Sequence, residues 1–356
     1  MSILIGIGNE HEFYSQHFLD EELASALADR VKRETDLEKA SRESAEKAGT
    51  EEIRRTPWAR LDARARGIFH EIGRLSDRSV PSGAERARAA EERAVIRSLL
   101  SILGYAAGDG SLADEKGAEI LLESGFRVPI LGELRTQTGE PYLWILHAAS
   151  FAHLDVMESS ENSSLFDAPR GDAETDPLEL TVDPAQFPDA FDLPAKARAL
   201  EGRSWLHVIA DGVFAEATPP RWVLLCGLSQ WLLIDRAKFA DRRLLRFDWS
   251  TILERRETAV LQAVTCLIGR EAFGVANGEC DLDRLDESSF KHAHGVSEDL
   301  KYALRESIEL LGNEAARQLR GQAAERKLGF FSGRNALDAS ELSDECLRYM
   351  YRLLFL

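Results

Sequence analysis

The sequence has few cysteines and no long apolar run, and each absence excludes a class of protein. Its four cysteines, Cys226, Cys266, Cys280 and Cys346, are scattered, and no two of them form a CxxC pair. Neither a zinc site nor a disulfide framework is therefore expected. No apolar run approaches the roughly 20 residues that a membrane helix needs. We accordingly expect a reduced, cytoplasmic protein with no metal site and no membrane partner.

Positive charge is also scarce. The net charge is −17, which argues against a general nucleic-acid binder because phosphate contacts need basic surface. The imbalance is uneven along the chain. Residues 150–220 hold fourteen acids and four bases, whereas the segment from Arg54 to Arg97 holds eleven arginines and six acids. The arginine-rich segment is a candidate DNA-facing surface, although a run of charge is more often a solvated helix face.

What is present is enough apolar sequence for a sizeable core. Of the 356 residues, 44% are hydrophobic, and this length indicates two units rather than one. Along the chain we expect a helical N-terminal segment over 1–110, an α/β domain over 111–275 and a helical spacer over 276–356. Residues 158–193, rich in Asp, Ser and Pro, predict an irregular acidic loop within the middle segment.

The middle segment has the pattern of a sheet. The runs Arg127 to Leu134 and Tyr142 to Ala149 flank RTQTGEP, which predicts a hairpin. Four further apolar runs predict short strands covered on both faces, namely WLHVI, RWVLLC, QWLLID and RLLRFDW. Helical patterns lie on either side, so the fold class is α/β or α+β, with a mixed sheet flanked by helices. Residues 34–52 predict either a projecting helix or a flexible link, and the pair Gly6 and Gly8 has no preceding strand.

Two helices are expected near the end of the chain. Ser297 predicts the N-cap of the first, whose apolar face repeats at helical spacing from Leu300. Asp338 and Glu341 have capping-box spacing ahead of the second. The apolar stripe of that last helix consists of Leu347, Met350, Tyr351 and Leu354. The helix is still apolar at Leu356, so we expect it to continue and the chain to be the front part of a longer protein.

Several segments of the sequence resemble one family. They are the opening NEHEFYSQHFLDEEL, the block PPRWVLLCGLSQWLLIDRAKFADRRLLRFDWSTILERRE, and the spacer motifs KHAHGVSEDLKYALRE, ELLGNE and RYMYRLLFL. They resemble the N-terminal nuclease-like and spacer regions of type IIG restriction–modification proteins, and of related adenine-specific DNA methyltransferases in phage-defence systems such as BREX and DISARM. The resemblance touches most of the chain from Phe126 onward, and residues 24–100 do not share it. It implies a restriction-endonuclease-like fold, with DNA, a following methyltransferase domain or other defence-system subunits as partners.

The resemblance also implies a PD-(D/E)xK nuclease site, for which the sequence offers an incomplete set. Such a site holds Mg²⁺ between acidic residues of a hairpin, and a nearby lysine helps to activate water. Glu133 is the candidate acid of the first strand, but His147 and Ala149 occupy the positions expected for the second acid and the lysine. Because Ala149 can neither bind the metal ion nor activate water, we expect a degenerate site. The alternative is an active Mg²⁺-dependent nuclease whose acids lie elsewhere, for example at Glu12, Glu133 and Asp211.

Histidines offer no better metal site. His147 is either a metal ligand or a hydrogen-bonded core residue, and a lone histidine on an apolar strand favours the core. His292 and His294 are two residues apart and lack a suitably spaced acid or cysteine. The resemblance implies a packing or spacer role for them.

The motifs of methyl transfer are missing. An adenine methyltransferase needs a glycine-rich turn for S-adenosylmethionine and an N/D-P-P-Y/F loop for the flipped adenine, and neither occurs between Met1 and Leu356. We expect S-adenosylmethionine to bind only in a following domain. The expected role of this chain is to hold DNA or a partner, with Lys291, Lys301 and Arg305 as candidate DNA contacts. An acidic interaction module that does not bind DNA is the alternative class, and it rests on the net charge.

Overall fold

The computed structural model describes residues 4–50, 53–76, 83–113, 118–122, 125, 127–151, 176–183, 187, 200, 202–274, 280–325 and 338–354. The chain divides into two compact units, Met1–Ser288 and Ser289–Leu356. Most of the acidic loop expected over 158–193 lies outside the described residues.

Seven strands of the described residues form one mixed sheet in the first unit. They are β1 (Ile7–Glu10), β2 (Ala118–Leu121), β3 (Arg127–Arg135), β4 (Pro141–His147), β5 (Trp222–Cys226), β6 (Gln230–Asp235) and β7 (Leu244–Asp248). Their order across the sheet is β1-β7-β6-β5-β4-β3-β2. Neighbours are antiparallel except β4 and β5, which are parallel. The predicted hairpin corresponds to β3 and β4.

Helices lie between β1 and β2 and follow β7 along the chain. The longer ones are α1 (Leu23–Ala48), α2 (Pro57–Ser76), α3 (Glu85–Ile102), α4 (Trp249–Arg255), α5 (Thr258–Ile268), α6 (Asp281–Glu325) and α7 (Ala339–Leu354). The α/β class, with a mixed sheet flanked by helices and helical segments towards both ends of the chain, is thereby confirmed. Because α1 extends through Ala48, the helical alternative holds for residues 34–48. No helix of the described residues is both long and apolar enough to cross a membrane.

Both faces of the sheet are buried, which explains the continuously apolar strands. Every residue of β5 and β6 is buried, as expected for strands covered on both sides. The first core contains Leu143 and Ile145 of β4 together with residues of α1, α2, α3, α4 and α5. The second core contains Trp144 and Leu146 of β4 together with Ile209. Alternate residues of one strand therefore serve different cores.

The structure moves the boundary expected at residue 110. Strand β1, which lies in the segment expected to be helical, pairs with β7 and sets Ile7 opposite Phe247. Leu61 of α2 and Leu99 of α3 belong to the first core. These helices cover one face of the sheet, so residues 1–110 fold with 111–275 rather than apart. Gly6 precedes β1 with φ +93°, and a Cβ there would lie 2.8 Å from Ile252 Cγ1.

One predicted strand is helical. The run WLHVI forms the short helix Trp205–His207, which continues as a π-helical turn over Val208–Val213. Ser204 caps it, because its side chain accepts a hydrogen bond from the backbone N–H of His207. Trp205, Val208 and Ile209 are buried in the second core. Their spacing suits one face of a helix, which an apolar run this short does not distinguish from a strand.

The spacer also begins differently from the expectation. Helix α6 starts at Asp281, so Ser297 lies inside it and is not an N-cap. Asp281 and Asp283 lie in the first turn, where the helix dipole favours negative charge, and Leu282 is fully buried in the first core. The boundary expected at residue 276 therefore shifts, since the first turns of α6 belong to the first unit.

The described residues of the second unit lie in two helices, α6 and α7. Asp338 Oδ1 accepts hydrogen bonds from the backbone N–H groups of Ser340 at 2.8 Å and Glu341 at 3.5 Å, which matches the predicted start of α7. Cys346 of α7 is 5% exposed, and a Cβ on Gly312 of α6 would lie 3.9 Å from its Sγ. Thus α7 packs against α6 near this point.

Candidate functional site

Glu133 lies on β3 and faces the second core. It pairs in register with Trp144 of β4, a residue of that core, and residues directly opposite in antiparallel strands share a face. Arg135 Nε donates a hydrogen bond to Glu133 Oε1 at 2.9 Å. The other oxygen, Oε2, is buried and has no hydrogen-bond partner among the described residues.

His147 ends β4 and faces the first core. It pairs with Cys226 of the parallel strand β5, and its Nε2 lies 3.7 Å from Oε2 of Glu92 on α3. Arg88 Nε donates to the other Glu92 oxygen at 2.8 Å. Burial lowers the pKa of His147, and the neighbouring Glu92 carboxylate opposes that shift. Neither ring nitrogen has a hydrogen bond within the described part of the chain, so His147 is a core residue but not a hydrogen-bonded one.

A β-bulge sets the two candidate residues on opposite faces of the sheet. Ile130 lies opposite Leu146, whereas Gly132 lies opposite Ile145, and the register shifts between them. The extra residue reverses the in–out alternation of everything that follows it on β3. Without the bulge Glu133 would share a face with His147. With it, the sheet lies between the two side chains and they cannot bind one ion together.

The position expected for lysine carries no usable group. Ala149 lies in a 3₁₀ turn directly after β4 and is buried, at 7% exposure. A methyl group neither ligates a metal nor shifts the pKa of water. The two strands of the hairpin therefore offer one acid, Glu133, on one face and one imidazole, that of His147, on the other.

The alternative set of acids does not converge either. Glu12 follows β1 at one edge of the sheet, and β7, β6, β5 and β4 separate β1 from β3. At about 4.8 Å per strand, the separation from Glu133 is roughly 24 Å. Asp211 is exposed and lies 3.2 Å from His207 Nε2. Among the described residues, no three His, Cys, Asp or Glu side chains gather in a way that could hold a metal ion.

The candidate DNA contacts of the spacer are exposed on α6. Lys301 and Arg305 flank a shallow groove whose apolar floor consists of Leu300, Leu304 and Ile308. Arg305 Nε donates to Glu309 Oε1 at 3.0 Å, so part of its charge is offset within the helix. Lys291 is exposed as well, about 15 Å further back along the helix axis at 1.5 Å per residue. His294 has a side chain outside the described set.

Glu92 is the residue that sequence reasoning missed. Its position on α3 belongs to a face with buried Ala89, Val95, Ile96 and Leu99. An acid within such a helical apolar stripe is the signal that could have marked it as a buried charge. Its position could not have shown that the neighbour would be His147, because the contact joins a helix to a strand distant in sequence.

Comparison of the chain with protein-family models, with curated proteins and with solved structures finds no match. Inference about function therefore rests on the residues and on the sequence resemblance. Among the described residues, His147 contacts the buried carboxylate of Glu92 on one side of the sheet. On the other side, Glu133 accepts one hydrogen bond, from Arg135.

Proposed function

We propose that this chain is the nuclease-like and spacer part of a site-specific DNA adenine methyltransferase from a bacterial restriction or phage-defence system. Its role is architectural: it holds DNA and a methyltransferase domain or other defence subunits, in the cytoplasm, and does not cut DNA. S-adenosylmethionine chemistry belongs to the partner domain. The resemblance of the opening, sheet and spacer segments supports this proposal, as does a mixed sheet flanked by helices.

One observation carries the architectural role. Glu133 and His147 lie on opposite faces of the sheet, because the bulge between Ile130 and Gly132 reverses the alternation. A magnesium-dependent nuclease needs oxygen ligands that converge on the metal. The two strands of the hairpin supply one such side chain, Glu133, so cleavage would require ligands from outside these strands.

An active Mg²⁺-dependent endonuclease is the second candidate. One feature favours it: Glu133 Oε2 is buried without a hydrogen bond among the described residues, and metal binding would satisfy such an oxygen. The third candidate, an acidic module that does not bind DNA, is supported by the net charge of −17 alone.

Incubation of the 356-residue chain with supercoiled plasmid and Mg²⁺ or Mn²⁺ separates these candidates. We expect the chain to retard duplex DNA on a gel and to leave the plasmid supercoiled. Glu133→Gln should then behave like the wild type. Nicking that is lost in Glu133→Gln but retained in Glu140→Gln, an exposed acid in the same hairpin, would establish the endonuclease instead. Intact plasmid with no retardation of DNA at low salt would favour the acidic interaction module.

Calorimetric titration tests whether the binding of S-adenosylmethionine belongs to the partner domain and not to this chain. Because the motifs for the cofactor are absent from the sequence, S-adenosylmethionine should produce no saturable heat with this chain. Saturable micromolar binding would mean that methyl-transfer chemistry lies within these residues, contrary to the proposal.

A further inference from the structure

Acidic side chains lie on both sides of the buried edge of α6 in its first two turns. The edge consists of Leu282 and Leu285, which are buried in the first core. Successive residues of an α-helix point about 100° apart, so Asp281 and Asp283 flank Leu282 from opposite sides. Asp286 follows Asp283 by three residues and lies on the same side. The leucines therefore form the seat of the helix in the first unit, with carboxylates on either side of it.

These acids pair with bases from three separate parts of the first unit. The pairs are Asp281 with Arg30 of α1, Asp283 with Arg221 directly before β5, and Asp286 with Lys238 after β6. The first two pairs have N–O distances of 2.6 Å. The side chain of Asp281 is 14% exposed, whereas those of Asp283 and Asp286 are 40% and 46% exposed. One side of the seat is thus nearly closed to water, and the other side is partly open.

The two bases on the open side each have a second partner that does not belong to α6. Arg221 Nη2 lies 3.3 Å from Oδ2 of Asp235, which is buried. Lys238 Nζ donates to the carbonyl oxygen of Phe13 at 2.8 Å and lies 4.2 Å from the centre of its ring. Uncompensated buried charge is the main cost of breaking an ion pair from one side. Departure of α6 from its seat would leave neither base without a partner, so this cost is avoided.

The same holds on the closed side, and little else fastens these turns. Arg30 Nη2 lies 3.3 Å from Glu271 Oε2 and keeps that partner without α6. Leu282 and Leu285 are the only apolar residues between Asp281 and Ser288, whereas every residue of β5 and β6 is buried. Elements with few buried apolar contacts open at a lower free energy than the core. The first two turns of α6 can therefore leave their seat while the sheet stays folded.

We propose that residues 281–288 form an ionic latch, which opens as a unit ahead of the sheet and is controlled by ionic strength. Dissolved ions screen charges that are exposed to water far more than buried ones, so the pairs of Asp283 and Asp286 set the response. Helix α6 continues beyond Ser288 into the second unit. Opening of the latch therefore frees the end of the helix that the two units share. The inference does not depend on the proposed function, since neither DNA nor a methyltransferase domain enters it.

Hydrogen–deuterium exchange of the complete 356-residue chain tests the latch. Mass spectrometry compares the backbone amides of residues 281–288 with those of β5 and β6. Asp283→Asn/Asp286→Asn removes two acids of the latch. Glu298→Gln/Asp299→Asn removes two exposed acids further along the same helix and is the matched control. Each protein is measured at ionic strengths of about 0.1 and 1 M, between which the screening length falls from about 10 to 3 Å.

We expect the wild-type latch to exchange faster than β5 and β6, and faster still at high ionic strength. The latch variant should raise the exchange of residues 281–288 about tenfold at low ionic strength, as the combined effect of two partly exposed pairs, and should respond little to salt. Its strand amides, and all amides of the control, should follow the wild type. Equal exchange of latch and strands in the wild type, or their joint acceleration in the latch variant, would overturn the inference, because the turns would then open only with the sheet. A latch whose exchange responds neither to salt nor to the asparagines would overturn it as well, since the ion pairs would not hold it.

Discussion

His147 Nε2 lies 3.7 Å from Glu92 Oε2, and both side chains are 2% exposed. The separation exceeds a hydrogen bond, so the contact becomes a strong ion pair only if the imidazole is protonated. Burial opposes that protonation and lowers the pKa of His147 despite the nearby carboxylate. The folded protein therefore holds a neutral imidazole beside a carboxylate that Arg88 already neutralises.

This contact predicts a stability that falls on acidification. An unfolded histidine gains its proton near pH 6.5, whereas folded His147 resists it. Below that pH the unfolded chain binds more protons, so the free energy of unfolding decreases as pH falls, by up to about 1.4 kcal/mol per pH unit from this group. Urea denaturation across that range should show a shallower pH dependence in His147→Gln. His70→Gln, on the exposed side of α2, is the control and should follow the wild type.

A buried ion network predicts a large loss on removal of one residue. Arg30 is 6% exposed, and its Nη1 lies 2.6 Å from Asp281 Oδ2 and its Nη2 3.3 Å from Glu271 Oε2. Breaking a buried pair from one side leaves uncompensated charge, so Arg30→Met should destabilise the protein by about 3–5 kcal/mol in chemical denaturation. Lys39→Met, which breaks an exposed pair with Asp36, should cost about 0–1 kcal/mol. Equal losses of stability in the two variants would show that the ion network around Arg30 is as well solvated as the exposed pair.

How far the sequence predicts the fold depends on how local the signal is. Strands β5 and β6 could be predicted because each is a continuous apolar run, and Asp338 predicted the start of α7. The strand Ile7–Glu10 has no such signal, because its pairing with β7 joins residues far apart in the sequence. The candidate site fails for a similar reason. The residue types at 133, 147 and 149 are visible in the sequence, but the bulge that puts Glu133 and His147 on opposite faces is not. A segment distant in sequence, at Ser111 and Ala113, lies against the bulge at Gly132 and Leu131.

That segment yields a prediction about two glycines. Gly132 lies where a Cβ would come within 2.2 Å of the Ser111 carbonyl oxygen, and Ala113 N–H donates to Leu131 O at 2.7 Å beside it. Gly132→Ala must displace this segment, so we expect a cost of about 1–3 kcal/mol, as for other overpacked sites. Gly67→Ala has open space and should instead stabilise the protein by up to about 1 kcal/mol. Thermal melting compares them, and a neutral Gly132→Ala would mean that the bulge can relax.

The last prediction concerns neighbouring residues of α7 that have opposite environments. Cys346 is 5% exposed, whereas Leu347 is 47% exposed. The side of α7 that packs in the second unit therefore runs through Cys346 and the half-buried Met350, whereas Leu347 and Tyr351 of the expected stripe are exposed. A charge at Cys346 would be buried beside Gly312 and need solvation, so Cys346→Glu should reduce helical content measured by circular dichroism. Leu347→Glu leaves that contact intact.

Substitutions at Cys346 and Leu347 also show, through self-association in solution, which of the two residues lies on exposed apolar surface and which is packed. An exposed leucine favours self-association because burying it fully is worth roughly 1.5–3 kcal/mol, so Leu347→Glu should shift sedimentation towards the smaller species without changing helicity. Lys301→Glu, which also places a glutamate at an exposed position of the unit, controls for the side chain itself. If Leu347→Glu loses as much helix as Cys346→Glu, Leu347 is covered in solution, and the inward side of α7 would have to include it.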